Sequence, residues 1–309
     1  MHPDRFLEDV LASPESLRTL ADTYPSGPGI ELAGRRVVLL GMGSSRFAAM
    51  TVAAGLRARG IDANAEIAST GAPQPPGSDT TVIAISATGG SAETLAAMRI
   101  HAGLSSLIGL TNRPESAVGL EADRCLELHA GVEVSGVACR SYQATLALLH
   151  MIAGVSADRI RAAADASETL LARRGAWLEQ AVGLLEGDAI HVLAPAERIG
   201  SAEQSALMLR EVPRVRADAC ETGDWSHVDV YLSKRPELGL LMLCGSAWES
   251  EVLEWAGQRR FPVVTVGGPL AGAALDIPVD DDGDPVIRSL VEHHVAELVA
   301  AELWRRRPI

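Results

Sequence analysis

Hydroxyls and glycines gather at two short turns in the first half of the chain. Ser86-Ala87-Thr88-Gly89-Gly90-Ser91, with Thr94 one helical turn further on, places several hydroxyl groups and a helix start at the exit of an apolar run. Phosphate chemistry suits such a turn, because the first N–H groups of a helix lack intrahelical acceptors and the helix dipole favours negative charge there. The Gly-Lys-Ser/Thr of a Walker loop is missing, which disfavours nucleoside triphosphates. Ser and Thr at helix starts also serve simply as caps, and that reading stands beside the first. The other turn, Gly41-Met42-Gly43-Ser44-Ser45-Arg46, begins like a dinucleotide fingerprint but has Arg46 where the third glycine belongs. A long side chain there obstructs the helix packing that fingerprint needs. The turn reads instead as a tight strand-to-helix connection, with Ser44 and Ser45 suited to a small anion or a sugar.

The second half carries a polar cluster: Arg210-Glu211, then Asp218, Glu221, Asp224 and His227. A carboxylate at the end of an apolar helix and an imidazole beyond a polar loop suit an acid and base pair, and equally suit an ordinary solvated surface. His293-His294 falls on a terminal helix, where neighbouring side chains diverge by about 100°, so joint metal ligation is not expected and no metal site is assigned. Cys125, Cys139, Cys220 and Cys244 are widely spaced, with no Cys-x-x-Cys pair, and read as reduced thiols.

Positioning these groups requires alternating strands and helices. Apolar runs at 36–41, 61–67, 81–86, 106–111 and 125–128 read as strands, with helices over 47–59, 93–101 and 142–153. The second half repeats the plan: 189–193, 240–244 and 262–266 read as strands and 201–211 as a helix, after a helical connection over 157–185. An amphipathic leader helix spans Met1 to Leu17. The expected fold class is α/β, with two copies of one unit, each a parallel sheet flanked by helices, over 1–170 and 171–309.

The chain has 309 residues, 47% of them hydrophobic and 22% charged, enough for two sizeable cores. Its 27 Lys and Arg stand against 40 Asp and Glu, a net charge of −13, which repels nucleic acid and acidic membrane surfaces. No run is long enough to span a bilayer, and the leader lacks the apolar centre of a signal peptide, so the expected location is cytoplasmic.

Taken together, these segments resemble the SIS (sugar isomerase) family, specifically the tandem-SIS isomerase region of glucosamine-6-phosphate synthases, from about residue 41 to about residue 300. Gly41-Met-Gly43-Ser-Ser resembles the family's first glycine-serine turn, and Ser86-Ala-Thr-Gly-Gly-Ser-Ala-Glu-Thr94 resembles its phosphate loop. Thr111-Asn-Arg-Pro-Glu-Ser116 and Gly131-Val-Glu-Val-Ser-Gly-Val-Ala-Cys-Arg-Ser-Tyr142 resemble its later motifs. So do Leu207-Met-Leu-Arg-Glu211 and Gly223-Asp-Trp-Ser-His227.

The resemblance implies a tandem pair of αβα sandwiches and a sugar-phosphate pocket lined by Gly43, Ser44, Ser45, Ser86, Thr88, Ser91, Thr94 and Gly136. It implies Glu211 as the base that shuttles a proton between C1 and C2 through an enediol or enolamine. His227 would open the sugar ring from the neighbouring subunit, which implies a homodimer with shared sites and no cofactor. The implied activity is a phosphosugar aldose-ketose isomerase or deaminase/isomerase. A fructosamine 6-phosphate deglycase and a non-catalytic phosphosugar-binding protein are the alternatives.

Departures bear on that choice. Ala87 stands where the family often has Gln, Ala138-Cys139 where it has Ser-Thr, and Val228-Asp229 where it has Gly-Pro. The sequence shows neither a glutaminase segment nor the tail lysine of the synthase, so synthase activity is not expected.

Overall fold

The structure, a computed structural model, describes residues 2–32, 34–234 and 238–307. Met1, the first residue of the expected leader helix, lies outside them. The elements of the first half are α1 (Pro3–Leu11), α2 (Ser13–Thr23), β1 (Arg36–Gly41), α3 (Ser44–Ala58), β2 (Ala63–Ile67), β3 (Thr80–Ile85), α4 (Ala92–His101), β4 (Ser106–Thr111), α5 (Ala117–Glu121), β5 (Arg124–Glu127) and α6 (Arg140–Ile152). There follow α7 (Ala157–Ala172), α8 (Leu178–Leu185), β6 (Ala189–Ala194), α9 (Ile199–Glu211), β7 (Arg216–Glu221), α10 (Thr222–Trp225), β8 (Leu238–Leu243), α11 (Glu249–Arg259), β9 (Val263–Val266), β10 (Leu275–Ile277), α12 (Pro285–Val291) and α13 (His294–Arg306).

The fold is α/β, with two parallel five-stranded sheets flanked by helices, ordered β2-β1-β3-β4-β5 and β10-β9-β8-β6-β7. Read from its other end the second order is β7-β6-β8-β9-β10, which is the first order element for element. The interior strands β3 and β8 are buried along their whole length, as parallel strands covered on both faces must be, and this is why they appear in the sequence as unbroken apolar runs.

The chain packs as two compact units. One comprises Glu15–Glu133 and Ala138–Ala162; the other comprises Met1–Pro14, Val134–Val137 and Ala163–Ile309. In the first, Val38, Leu40, Val82, Ala97 and Leu107 form one core layer, and α3 packs on β1, β2 and α6. In the second, Trp225, Leu240, Met242, Val252, Phe261 and Val263 form the core, and α13 packs on α1, α8 and α9.

Three expectations change. The leader is two helices, because Pro14 falls in the first turn of α2, where its missing N–H costs nothing, and the chain restarts there instead of continuing α1. The helical connection is broken by a 3-10 turn at Arg173–Ala176. Two strands, β7 and β10, were not foreseen. Each lies at a sheet edge and is partly exposed, and Arg216-Ala-Asp-Ala-Cys-Glu221 therefore has the composition of a loop. None of the four cysteines forms a disulfide.

Candidate functional site

In the first sheet the chain leaves β1 for β2 on one side and then crosses to β3 on the other. That reversal makes the carboxyl ends of β1 and β3 a topological switch point, the usual ligand position in open parallel sheets. Both serine-rich turns flank it: Ser44 and Ser45 begin α3 directly after β1, and 86–91 leaves β3 for α4.

Backbone geometry holds both turns. A Cβ on Gly41 would stand 2.9 Å from the Arg46 nitrogen, so the start of α3 approaches the strand end more closely than any other residue allows. Gly89 has φ +69°, and a Cβ there would meet Ser116 Oγ at 1.7 Å. The Gly89 N–H donates to the Ser86 carbonyl at 2.9 Å, and Asn112 N–H donates to the Ala87 carbonyl at 3.0 Å, tying the loop to the end of β4.

The predicted hydroxyls take different positions. Ser91 caps α4: its oxygen accepts from Thr94 N–H at 3.2 Å and from the Thr94 hydroxyl at 3.1 Å, and it donates to Glu93 at 3.0 Å. Thr94 is fully buried, so within this unit it orients Ser91. Ser86 is buried, Ser44 and Ser45 are half-buried, and Thr88 is exposed. Gly43, the residue before α3, has φ 49°, and no side chain caps that helix. Arg46, read in the sequence only as an obstruction, has a buried Nε with no hydrogen-bond partner.

Two further residues carry the local architecture and were quoted in motifs without being assigned to the site. Asn112 accepts from Ala130 N–H at 3.0 Å and donates to the Gly131 carbonyl at 2.6 Å. Glu133 accepts from the N–H groups of Cys139 and Ser141, both at 2.9 Å, and so caps α6. Gly136, with φ 74°, belongs to the other unit, where the Asp9 carboxylate holds the Val134 and Ser135 N–H groups at 3.0 and 2.7 Å.

Glu211 is the last residue of α9 and is half-buried. Desolvation raises its pKa above the ordinary 4.5, opposed by the charge of Arg214. Arg214, in a left-handed conformation at φ 59°, donates to the Glu211 carbonyl at 2.6 Å. His227 follows α10 and is exposed. Its segment is anchored by Trp225, whose indole N–H donates to His191 Nδ1 at 2.9 Å inside the core. The same bond identifies Nδ1 as the acceptor nitrogen, and burial lowers the His191 pKa.

Glu211 precedes β7 and His227 follows it, so they stand at opposite edges of the second sheet. Six residues of strand separate those edges by about 17 Å, at about 3.3 Å per residue.

His293 and His294 depart from expectation. His293 lies between α12 and α13 and His294 begins α13; the backbone at His293 is helical, φ −66° and ψ −22°, yet the ring centroids are 4.4 Å apart. Both are fully buried, as is Glu297, and His294 Nδ1 lies 2.7 Å from Glu297 Oε2. Burial pushes both imidazole pKa values down to about 3 and the carboxyl up to about 7.

Residues 33–154 match the SIS domain. The glutamine–fructose-6-phosphate aminotransferase (isomerizing) of Aeropyrum pernix is 27% identical over 260 residues, covering 75% of this chain and 42% of that relative. The chain therefore spans less than half the length of that curated relative. The C-terminal domain of glucosamine-fructose-6-phosphate aminotransferase from Francisella tularensis has a TM-score of 0.80 at 16% identity, over 98% of this chain and 96% of that one. Glucosamine-6-phosphate deaminase from Thermotoga maritima also has a TM-score of 0.80, at 19% identity over 99% and 95%. At those identities the likeness is one of fold, and it extends over both sheets. No helix among the described residues is long and apolar enough to cross a membrane.

Proposed function

We propose that the chain is a phosphosugar aldose-ketose isomerase, or an aminosugar-phosphate deaminase/isomerase, working through an enediol or enolamine intermediate. The observation that carries this reading is the reversal of strand order between β1 and β3, with a serine turn at the carboxyl end of each. Ser44, Ser45, Ser86 and Thr88, with the first-turn amides of α3 and α4, make a phosphate cradle needing no basic residue. The SIS match covers both turns, and the relatives' printed names concern phosphorylated hexoses and aminosugars.

Glu211 is the enolising base. A carboxyl with a raised pKa holds a proton more firmly than a solvated one, which suits its moving that proton between C1 and C2. By the family resemblance Gly43, Ser91, Thr94 and Gly136 also belong to the substrate-binding set. His227 opens the ring of a sugar bound by a neighbouring copy; its exposure and its distance from Glu211 support a homodimer with shared sites. The second SIS-type domain begins near residue 171, the protein acts in the cytoplasm, and neither nucleic acid nor an organic cofactor takes part.

The test is solvent exchange. Incubated in deuterium oxide with candidate phosphohexoses, aminosugar phosphates and fructosamine phosphates, the chain is expected to wash deuterium into C1 or C2 of its substrate, and Glu211→Gln is expected to stop this while binding persists. Release of an amine by hydrolysis would make it a deglycase; binding without exchange would make it a sensor.

A further inference from the structure

Three donor side chains meet where α12 gives way to α13, at a place the sugar chemistry does not use. His293, His294 and Glu297 each offer one ligand atom, and these atoms all lie within 4.8 Å of one another. We propose that they form a binding site for one divalent transition-metal ion, zinc first among them, taking one imidazole nitrogen from each histidine and one oxygen from Glu297.

The donor set selects the ion. Two imidazoles and a carboxylate suit zinc and its first-row neighbours, whereas calcium and magnesium require oxygen cages. The spacing is close to what a tetrahedral ion needs, since ligand atoms about 2.0–2.1 Å from zinc lie about 3.3 Å from each other. Here His294 Nδ1 is 2.7 Å from Glu297 Oε2, and His293 Nε2 is 4.0 Å from Glu297 Oε1, so small ring rotations bring all three onto one centre. Glu297 Oε1 is buried and accepts no hydrogen bond among the described residues, leaving carboxylate capacity for a cation.

All three side chains have 0% exposure, so the ion is structural and not a site for activated water. It fixes the α12–α13 junction in the unit where α13 packs on α1, α8 and α9. This assignment is independent of the sugar reading.

The test is elemental analysis of the untagged chain, grown with added zinc and desalted. About one zinc per chain is expected, falling at least about tenfold in His294→Ala and in Glu297→Gln. Because these substitutions also disturb a packed core, the wild-type chain is stripped with a chelator and titrated with cobalt(II). A visible absorption band that saturates at about one equivalent and is displaced by zinc supports the site. Zinc below about a tenth of an equivalent with no saturable cobalt band, or metal content unchanged in both variants, overturns it.

Discussion

The two sheets share one strand order but finish their carboxyl edges in opposite ways. Beyond β1 and β3 the edge is lined by serine and threonine hydroxyls, glycines and helix starts. Beyond β6, β8 and β9 the corresponding positions are filled from within. Glu249 accepts from the N–H groups of Gly245 and Ser246, the latter at 3.0 Å, occupying amides that an anion would take. Arg198, just after β6, bonds the Cys244 carbonyl and pairs with Glu292 at 3.1 Å, and Arg288 reaches the Gly267 carbonyl at 3.2 Å and Asp281. A repeated topology therefore does not repeat a site. One edge carries open hydroxyls; the other closes its loops with its own charges, beside a cavity lined by Ser246, Glu249 and Leu270.

The comparison breaks most plainly at Glu211. Replacement by Gln is expected to lower turnover about 10²–10⁴-fold in the exchange assay, the range general acid–base catalysis supplies. Because burial raises its pKa, and the base must be ionised, wild-type activity should rise with pH through a limb above the ordinary 4.5. A limb at 4.5 would remove the desolvation argument.

Arg198→Ala tests the closed edge. Both partners of Arg198–Glu292 are buried, so removing one strands a charge, and a loss of about 3–5 kcal/mol is expected in denaturant unfolding. A loss near that of a surface pair, below about 1 kcal/mol, would show that the edge is not held by this pair.

At the open edge, Gly89→Ala is expected to cost about 1–3 kcal/mol and weaken phosphosugar binding, because of its positive φ and the collision with Ser116. A calorimetric titration reads the affinity. An unchanged value would detach this loop from the ligand.

The smallest effect sharpens the contrast. Ser91→Ala removes the cap of α4 and Glu249→Ala removes the acceptor of two loop amides ahead of α11, each at about 1 kcal/mol of stability. Only the first is expected to reduce phosphosugar affinity. The reverse pattern would move the ligand to the second sheet.

Much of this was legible from residues alone. β4 was placed to the residue, and β1, α4 and α9 to within two residues at each end, because buried parallel strands and amphipathic helices leave different periods in the sequence. The serine turns were legible as strand exits into helices, and the capping role weighed for their hydroxyls is the one Ser91 fills at α4. β7 was not legible: an edge strand buries little, so Asp218 and Glu221 read as loop. Asn112 and Glu133 were visible as motif letters, but their partners lie across turns that no spacing rule reports.

By itself the sequence determined the α/β class, the two-fold repetition of strand and helix, and the hydroxyl-bearing turns at the exits of β1 and β3, since these follow from local periodicity and turn chemistry. Tertiary structure decided how the second edge ties its loops together, because Arg198 meets Glu292 across 94 residues of chain. It also decided that Glu211 and His227 stand a strand length apart, and that adjacent histidines converge. Such relations depend on where distant segments pack, and burial and charge settle them only once the chain has folded.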